Sequence, residues 1–115
     1  MALSKDAILS AGDLTPTPMD VPEWGGVIYI RSLTGGEWDA CEMERASVRK
    51  RPSEGHYAAH VCVRGIVDEN GKPLFAVTDF EKLQQRNLNT IQRVALAILE
   101  LSGATANAQG DIEKN

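Results

Sequence analysis

The chain has 115 residues, 43% apolar and 24% charged, which suits one soluble globular domain burying about two thirds of its unfolded surface. A net charge of −4 argues against non-specific attachment to nucleic acid or an anionic membrane. No run approaches the ~20 apolar residues of a membrane span. The N-terminus lacks the apolar core of an export signal, so Cys41 and Cys62 are expected to be reduced thiols in a cytoplasm.

Ser4 can cap a short helix over about 5–11, with Ala7, Ile8 and Ala11 on one side and Gly12 ending it. TPTP, residues 15–18, reads as a stiff spacer. VPEWGGVIYI then predicts a β-hairpin turning at Gly25-Gly26. In that register Trp24 faces Val27, Tyr29 lies on the same side, and Ile28 and Ile30 point to the other. Pro22 has no N–H to offer Tyr29, which suggests an edge strand. Thr34-Gly35-Gly36-Glu37 has capping-box spacing and opens a helix over 35 to about 51, carrying Trp38, Cys41 and Val48 on one stripe.

From 57 to 67 helical and strand periods overlap, and the spacing favours a helix that becomes extended near Gly65. Asp68-Glu69-Asn70-Gly71 is a turn that returns Pro73-Leu74-Phe75 against Ile66 and Val67. Thr78 to Glu81 reads as a second capping box, and the helix it opens weakens from Gln84 to Asn87. A last helix over 88–101 starts afresh from Asn87, with Gly103 as its left-handed terminator. The fold class is therefore α+β, mostly helical: four to five helices with a small N-terminal β-hairpin. A single domain occupies 1–103, with the core anchored by Trp24, Trp38, Tyr29, Tyr57, Phe75 and Phe80. The polar tail over 104–115 is expected to be disordered.

No catalytic, cofactor or metal site is expected. His56, His60, Cys41 and Cys62 invite a zinc reading, but lack CxxC or HExxH spacing, and packing or surface roles explain them better. No glycine elbow surrounds either cysteine. The glycine pairs lack phosphate-loop spacing and have turn or cap explanations. Arg45, Arg49, Lys50 and Arg51 form a basic cluster whose ordinary role is to offset a helix C-terminus; docking to an acidic partner is the alternative.

On the last helix Leu88, Ile91, Val94, Ala95, Ile98, Leu99 and Leu101 fill an arc of roughly 160°, wider than one flat contact requires. Packing from two sides explains that arc. Alternatively, part of the surface, including Val94 and Leu101, meets another protein or a second copy. Leu96 falls outside the arc beside Asn89, Arg93 and Glu100. Candidate partner-binding residues are thus Leu96, Val94, Leu101, Arg45, Arg49 and Arg51.

VPEWGG and VIYIRSLTGGEWDA, then IVDENGKPLF, TDFEKL and finally IQRVALAILELSG resemble, in that order, the tail assembly chaperones of long-tailed bacteriophages. The RKRPSEGH segment departs from that pattern. The resemblance implies a non-enzymatic protein of the host cytoplasm that binds the tape measure protein and keeps it soluble while major tail protein polymerises around it. It implies absence from the mature virion, and gives no catalytic residue to carry over. The competing readings are a DNA-associated regulatory phage protein using the basic cluster, and a structural head–tail completion protein. Steep loss of affinity with salt would mark the first, and presence in purified virions the second.

The resemblance also implies a longer product, made by −1 frameshifting, whose C-terminal extension recruits major tail protein. Glu113-Lys114-Asn115 can be encoded GAA AAA AAC, which contains the slippery heptamer A AAA AAC. Sequencing the gene past codon 115 is expected to show that heptamer and an overlapping −1 frame. Neither feature being present would remove the frameshift.

Overall fold

Helix α3 (Glu54–Gly65) is the element on which all the helices but the first pack. Ala58, Ala59, His60, Val61, Cys62 and Val63 are consecutive and all buried, so every face of the helix is covered. That is why its periodicity is ambiguous in the sequence. The computed structural model describes residues 2–47 and 54–104. Before α3 come α1 (Lys5–Leu9), β1 (Thr17–Val21), β2 (Gly26–Ile30) and α2 (Gly35–Ser47); after it come β3 (Ile66–Val67), α4 (Phe80–Gln84) and α5 (Leu88–Leu101). The architecture is α+β and mostly helical, as expected.

The hairpin forms with a different register from the expected one. β1 and β2 pair antiparallel from Thr17 opposite Ile30 to Val21 opposite Gly26, so Thr17 and Pro18 belong to a strand rather than a spacer. Proline is tolerated because β1 is an edge strand, half of whose N–H groups point away from the sheet. Pro22–Trp24 forms a single 3₁₀ turn, closed by the Gly25 N–H donating to the Pro22 carbonyl at 3.0 Å. Gly25 alone takes a left-handed φ of 90°, while Gly26 begins the strand. Trp24 therefore does not pair with Val27. The expected alternation holds along β2: Ile28 and Ile30 pack on the core, and Val27 is exposed. β3 adds a third strand on the far side of β2, with Val67 opposite Tyr29.

Leaving the sheet, the chain enters α2 through the predicted cap. The Thr34 hydroxyl accepts from the Glu37 N–H at 3.1 Å, and the Glu37 carboxylate accepts from the Thr34 N–H at 2.9 Å. The same carboxylate takes two bonds from the buried Arg31 guanidinium, at 2.8 and 2.9 Å. Burial pushes Glu37 up, but Arg31 and the Thr34 N–H overcome it and hold the carboxyl below its ordinary value. α2 is described to Ser47; Val48 and the rest of the predicted helix end, 48–53, lie outside the described residues.

α3 passes directly into β3 at Gly65, where the sequence predicts the change. The Asp68–Gly71 turn follows as expected: one Asp68 carboxylate oxygen accepts from the Asn70 and Lys72 N–H groups, and Gly71 has φ 88°. Pro73 bridges to Val67, and the Leu74 N–H donates to the Ile66 carbonyl. The next start differs from expectation. Val77–Asp79 is a 3₁₀ turn, and the Asp79 carboxylate, not a Thr78 cap, accepts from the Ala76 N–H at 2.9 Å. Asn87 caps α5 through Thr90, and Gly103 ends it with φ 78°. At the other end of the chain α1 is capped by Ser4 but stops at Leu9, short of Ala11, and buries no residue.

The aromatics do not fill the core. Its fully buried large side chains are isoleucines and valines, while Trp24, Trp38, Tyr57, Phe75 and Phe80 pack around it partly exposed. α5 buries one broad face, Thr90, Ile91, Val94, Ala95 and Ile98. Packing on all sides belongs to α3 rather than to α5.

Two seams join sheet and helices. A β-carbon on Gly65 would lie 2.6 Å from both Ile98 Cδ1 and Cγ2, so the close approach of α3 to α5 requires glycine. The Gly65 carbonyl accepts from the Arg31 N–H at 2.9 Å. Further along, the Ser102 hydroxyl accepts from the Leu33 N–H and donates to the Ile98 carbonyl, each at 2.8 Å.

Gly65→Ala should cost about 1–3 kcal/mol in urea titration despite alanine's better helix propensity. Combined with Ile98→Ala, it should lose less than the sum of the two single variants. Strict additivity would remove the contact from the account. Glu37 supplies a pH test. Its depressed pKa contributes stability above the ordinary carboxylate value of 4.5, and this is lost as pH falls through the lower folded value. Glu37→Gln should therefore flatten the acid limb below that value and cost about 1.5–3 kcal/mol at neutral pH. An unchanged acid limb would contradict the pairing.

Candidate functional site

Leu96 lies outside the buried face of α5 and remains half-exposed, at 48%. It borders a groove between α3 and α5, about 280 Å³, whose apolar lining comes from Tyr57, Ala58, Ala95, Leu96 and Leu99, with Glu54 and Gln92 at the edge. The Gln92 amide donates to the Glu54 carboxylate at 2.9 Å and fixes that edge. Leu101 is also exposed, near the end of α5. Val94 is fully buried in the core and is not available to a partner in this fold. It faces inward because α5 turns its apolar stripe toward α3.

Of the basic cluster, Arg45 is described and Arg49 and Arg51 lie outside the described residues. Arg45 sits over the Tyr57 ring, 5.0 Å from its centroid, and 3.9 Å from Glu42. The Tyr57 hydroxyl donates to that Glu42 carboxylate at 2.8 Å. Arg45 thus covers the seam between α2 and α3 as well as balancing the helix end.

A larger cleft, about 490 Å³, is walled by Trp24, Phe75 and Leu83, with Asp79, Lys82 and Arg86 among its lining residues. Sequence reading misses it, because its apolar walls come from the hairpin turn, the 73–75 segment and α4. Nearby the Glu23 carboxylate takes two bonds from Arg93, at 2.6 and 2.8 Å, which tie the hairpin turn to α5. Arg93 pulls Glu23 down to about 2. Seventy residues separate that pair, so no local spacing announces it.

Neither cysteine presents an exposed, activated thiol. Both are buried, and burial pushes Cys41 up to about 11 and Cys62 up to about 12. The Cys62 thiol donates to the Ile91 carbonyl at 3.5 Å, as a core residue does. The histidines do come together, with Glu44 of α2 rather than with the thiols. Glu44 Oε2 is 3.4 Å from His56 Nε2 and 3.5 Å from His60 Nε2. His60 is stacked on Phe80, with ring centroids 4.2 Å apart, and burial keeps it below its ordinary value despite Glu44. Glu44 has no spacing relationship to the histidines that sequence reading could use, being on another helix.

No helix among the described residues is long and apolar enough to cross a membrane. No protein-family model and no curated protein matches this sequence. Among solved structures, the chain is similar to the tail assembly chaperone of bacteriophage HK97, with a TM-score of 0.65 and 17% sequence identity. The match covers 84% of this chain and 94% of that one, so the two share a fold over most of both chains.

Proposed function

We propose that this chain is a phage tail assembly chaperone that holds the tape measure protein soluble in the host cytoplasm while the tail tube assembles. The observation carrying the proposal is the fold shared with the HK97 chaperone across most of both chains. The ordered motif series supports it independently, since LTGGE, DENGK and LSG each occupy the turn or cap that orders the fold. The role is non-enzymatic, and the protein leaves before the virion is complete. A longer, frameshifted product carries the extension that recruits major tail protein.

The client surface in this proposal is the α3–α5 groove at Leu96. A tape measure protein is long and helical, and an amphipathic helix laid in a groove is held by apolar anchors at helical spacing. Leu96 and Leu99 line the groove, and the negative Glu54 stands at its edge beside Gln92. Leu101, also exposed, lies apart from this groove, beside Asp13, Thr17 and Ser32. Net negative charge on the carrier keeps the complex soluble while apolar surface is engaged.

Co-expression with the tape measure protein tests the reading. The wild-type chain should move the client into the soluble fraction. Leu96→Glu should change stability by less than about 0.5 kcal/mol, since the residue is half-exposed, and yet reduce the soluble client. A client equally soluble with and without the wild-type chain would overturn the chaperone reading. Unfolding of Leu96→Glu would instead place that side chain in the core.

A further inference from the structure

We propose that Glu44, His56 and His60 form a binding site for a divalent late transition metal, zinc above all, that clamps α2 to α3. The inference goes beyond the chaperone reading and does not depend on it. Three ligand atoms converge, one carboxylate oxygen and two imidazole nitrogens, all within 4.8 Å of one another. A tetrahedral zinc with bonds of about 2.0–2.2 Å sets neighbouring donor atoms about 3.3–3.5 Å apart. Glu44 Oε2 lies at 3.4 Å from one imidazole and 3.5 Å from the other, which are the separations such a shell requires. The third edge, between the two imidazoles, is no longer than 4.8 Å, and movement of the more exposed His56 ring would close it.

The second observation is His60 itself. Its side chain is 3% exposed, and its Nε2 is a buried polar atom without a hydrogen-bond partner among the described residues. A buried, unpaired ring nitrogen is costly, and this one points toward the carboxylate at a distance and angle that make no hydrogen bond. Phe80 stacks on the same ring and fixes its plane. His56 meets His60 edge-on, with centroids 4.5 Å apart, as i and i+4 neighbours on α3. The mixed nitrogen and oxygen donor set suits zinc and its neighbours better than calcium or magnesium, which prefer oxygen alone. Glu44 and His56 are partly exposed, which leaves an entry path and room for water as the fourth ligand.

Arg64 sets the condition for binding. Its Nη1 lies 3.2 Å from His60 Nδ1 and donates to the His60 carbonyl at 2.9 Å. A guanidinium only donates, so Nδ1 accepts and the proton of the neutral ring sits on Nε2. Coordination through Nε2 moves that proton to Nδ1, with none gained or lost by the ring. Arg64 then keeps the carbonyl bond and releases the ring. It is a positioning residue that works against the metal, and a side chain offering Nδ1–H an acceptor should favour it.

The test is a zinc titration of the full chain against a chromophoric chelator, with folding checked by far-ultraviolet circular dichroism. One zinc per chain is expected. His56→Gln and Glu44→Gln, both at partly exposed positions, should remain folded and each weaken binding about tenfold or more. Arg64→Gln, whose amide oxygen can accept from Nδ1–H, should bind zinc at least as tightly as the wild type. Cobalt in place of zinc should give the intense visible absorption of a tetrahedral site, lost in His56→Gln. Absence of saturable binding at one equivalent would overturn the proposal, as would affinity unchanged in both His56→Gln and Glu44→Gln.

Discussion

The contact between Gly65 and Ile98 constrains the rest of the molecule. At that point α3 has completed its buried turns, α5 crosses it, and the chain leaves helix for strand without an intervening loop. Any side chain at 65 would push Ile98 away and open the seam between the two most buried helices. The backbone there has a second duty, because the Gly65 carbonyl accepts from Arg31 and so aligns β2 with the end of α3. Arg31 in turn positions Glu37 and the start of α2. One glycine therefore relates the sheet, the capped helix and the helical layer, and a short chain with few aromatics gains a continuous aliphatic core from it.

What the sequence disclosed was local. The Thr34–Glu37 cap, the Asp68–Gly71 turn, the break at Gly65 and the restart at Asn87 all rest on residues within four positions of each other, where backbone hydrogen bonding decides the outcome. What it concealed was set by partners far along the chain. TPTP reads as a spacer because proline disfavours strands in general, whereas only its edge position makes pairing acceptable. The Trp38 and Trp24 rings were expected inside, and instead pack partly exposed against a core whose fully buried large side chains are valine and isoleucine. The Glu23–Arg93 pair, the large cleft at Trp24 and Phe75, and the approach of Glu44 to two histidines are tertiary facts without a local signature.

For function, the motifs that carry the family resemblance turn out to be the devices that order the chain. Leu33 is buried, Thr34 caps, Glu37 receives Arg31, and Ser102 fastens the end of α5 back to Leu33. Such motifs identify a fold and leave the binding surface free to vary. The architecture is shared with the HK97 chaperone at 17% identity. Among the partner-binding candidates, exposure separates Leu96 and Leu101 from the buried Val94, a distinction that helical spacing near the edge of a broad apolar arc cannot make. The proposed client groove therefore belongs to the outer edge of α5, where it meets the first turns of α3.

Amide hydrogen exchange, recorded on the free chain and on its complex with the tape measure protein, tests this account most directly. In the free chain the Arg31 and Leu33 amides should exchange as slowly as those in the middle of α5, because sheet and helices open together. In the complex, new protection should appear along Tyr57, Ala58 and the stretch from Gln92 to Leu99. Sheet amides that exchange well before α5, or client protection confined to other surfaces, would contradict it.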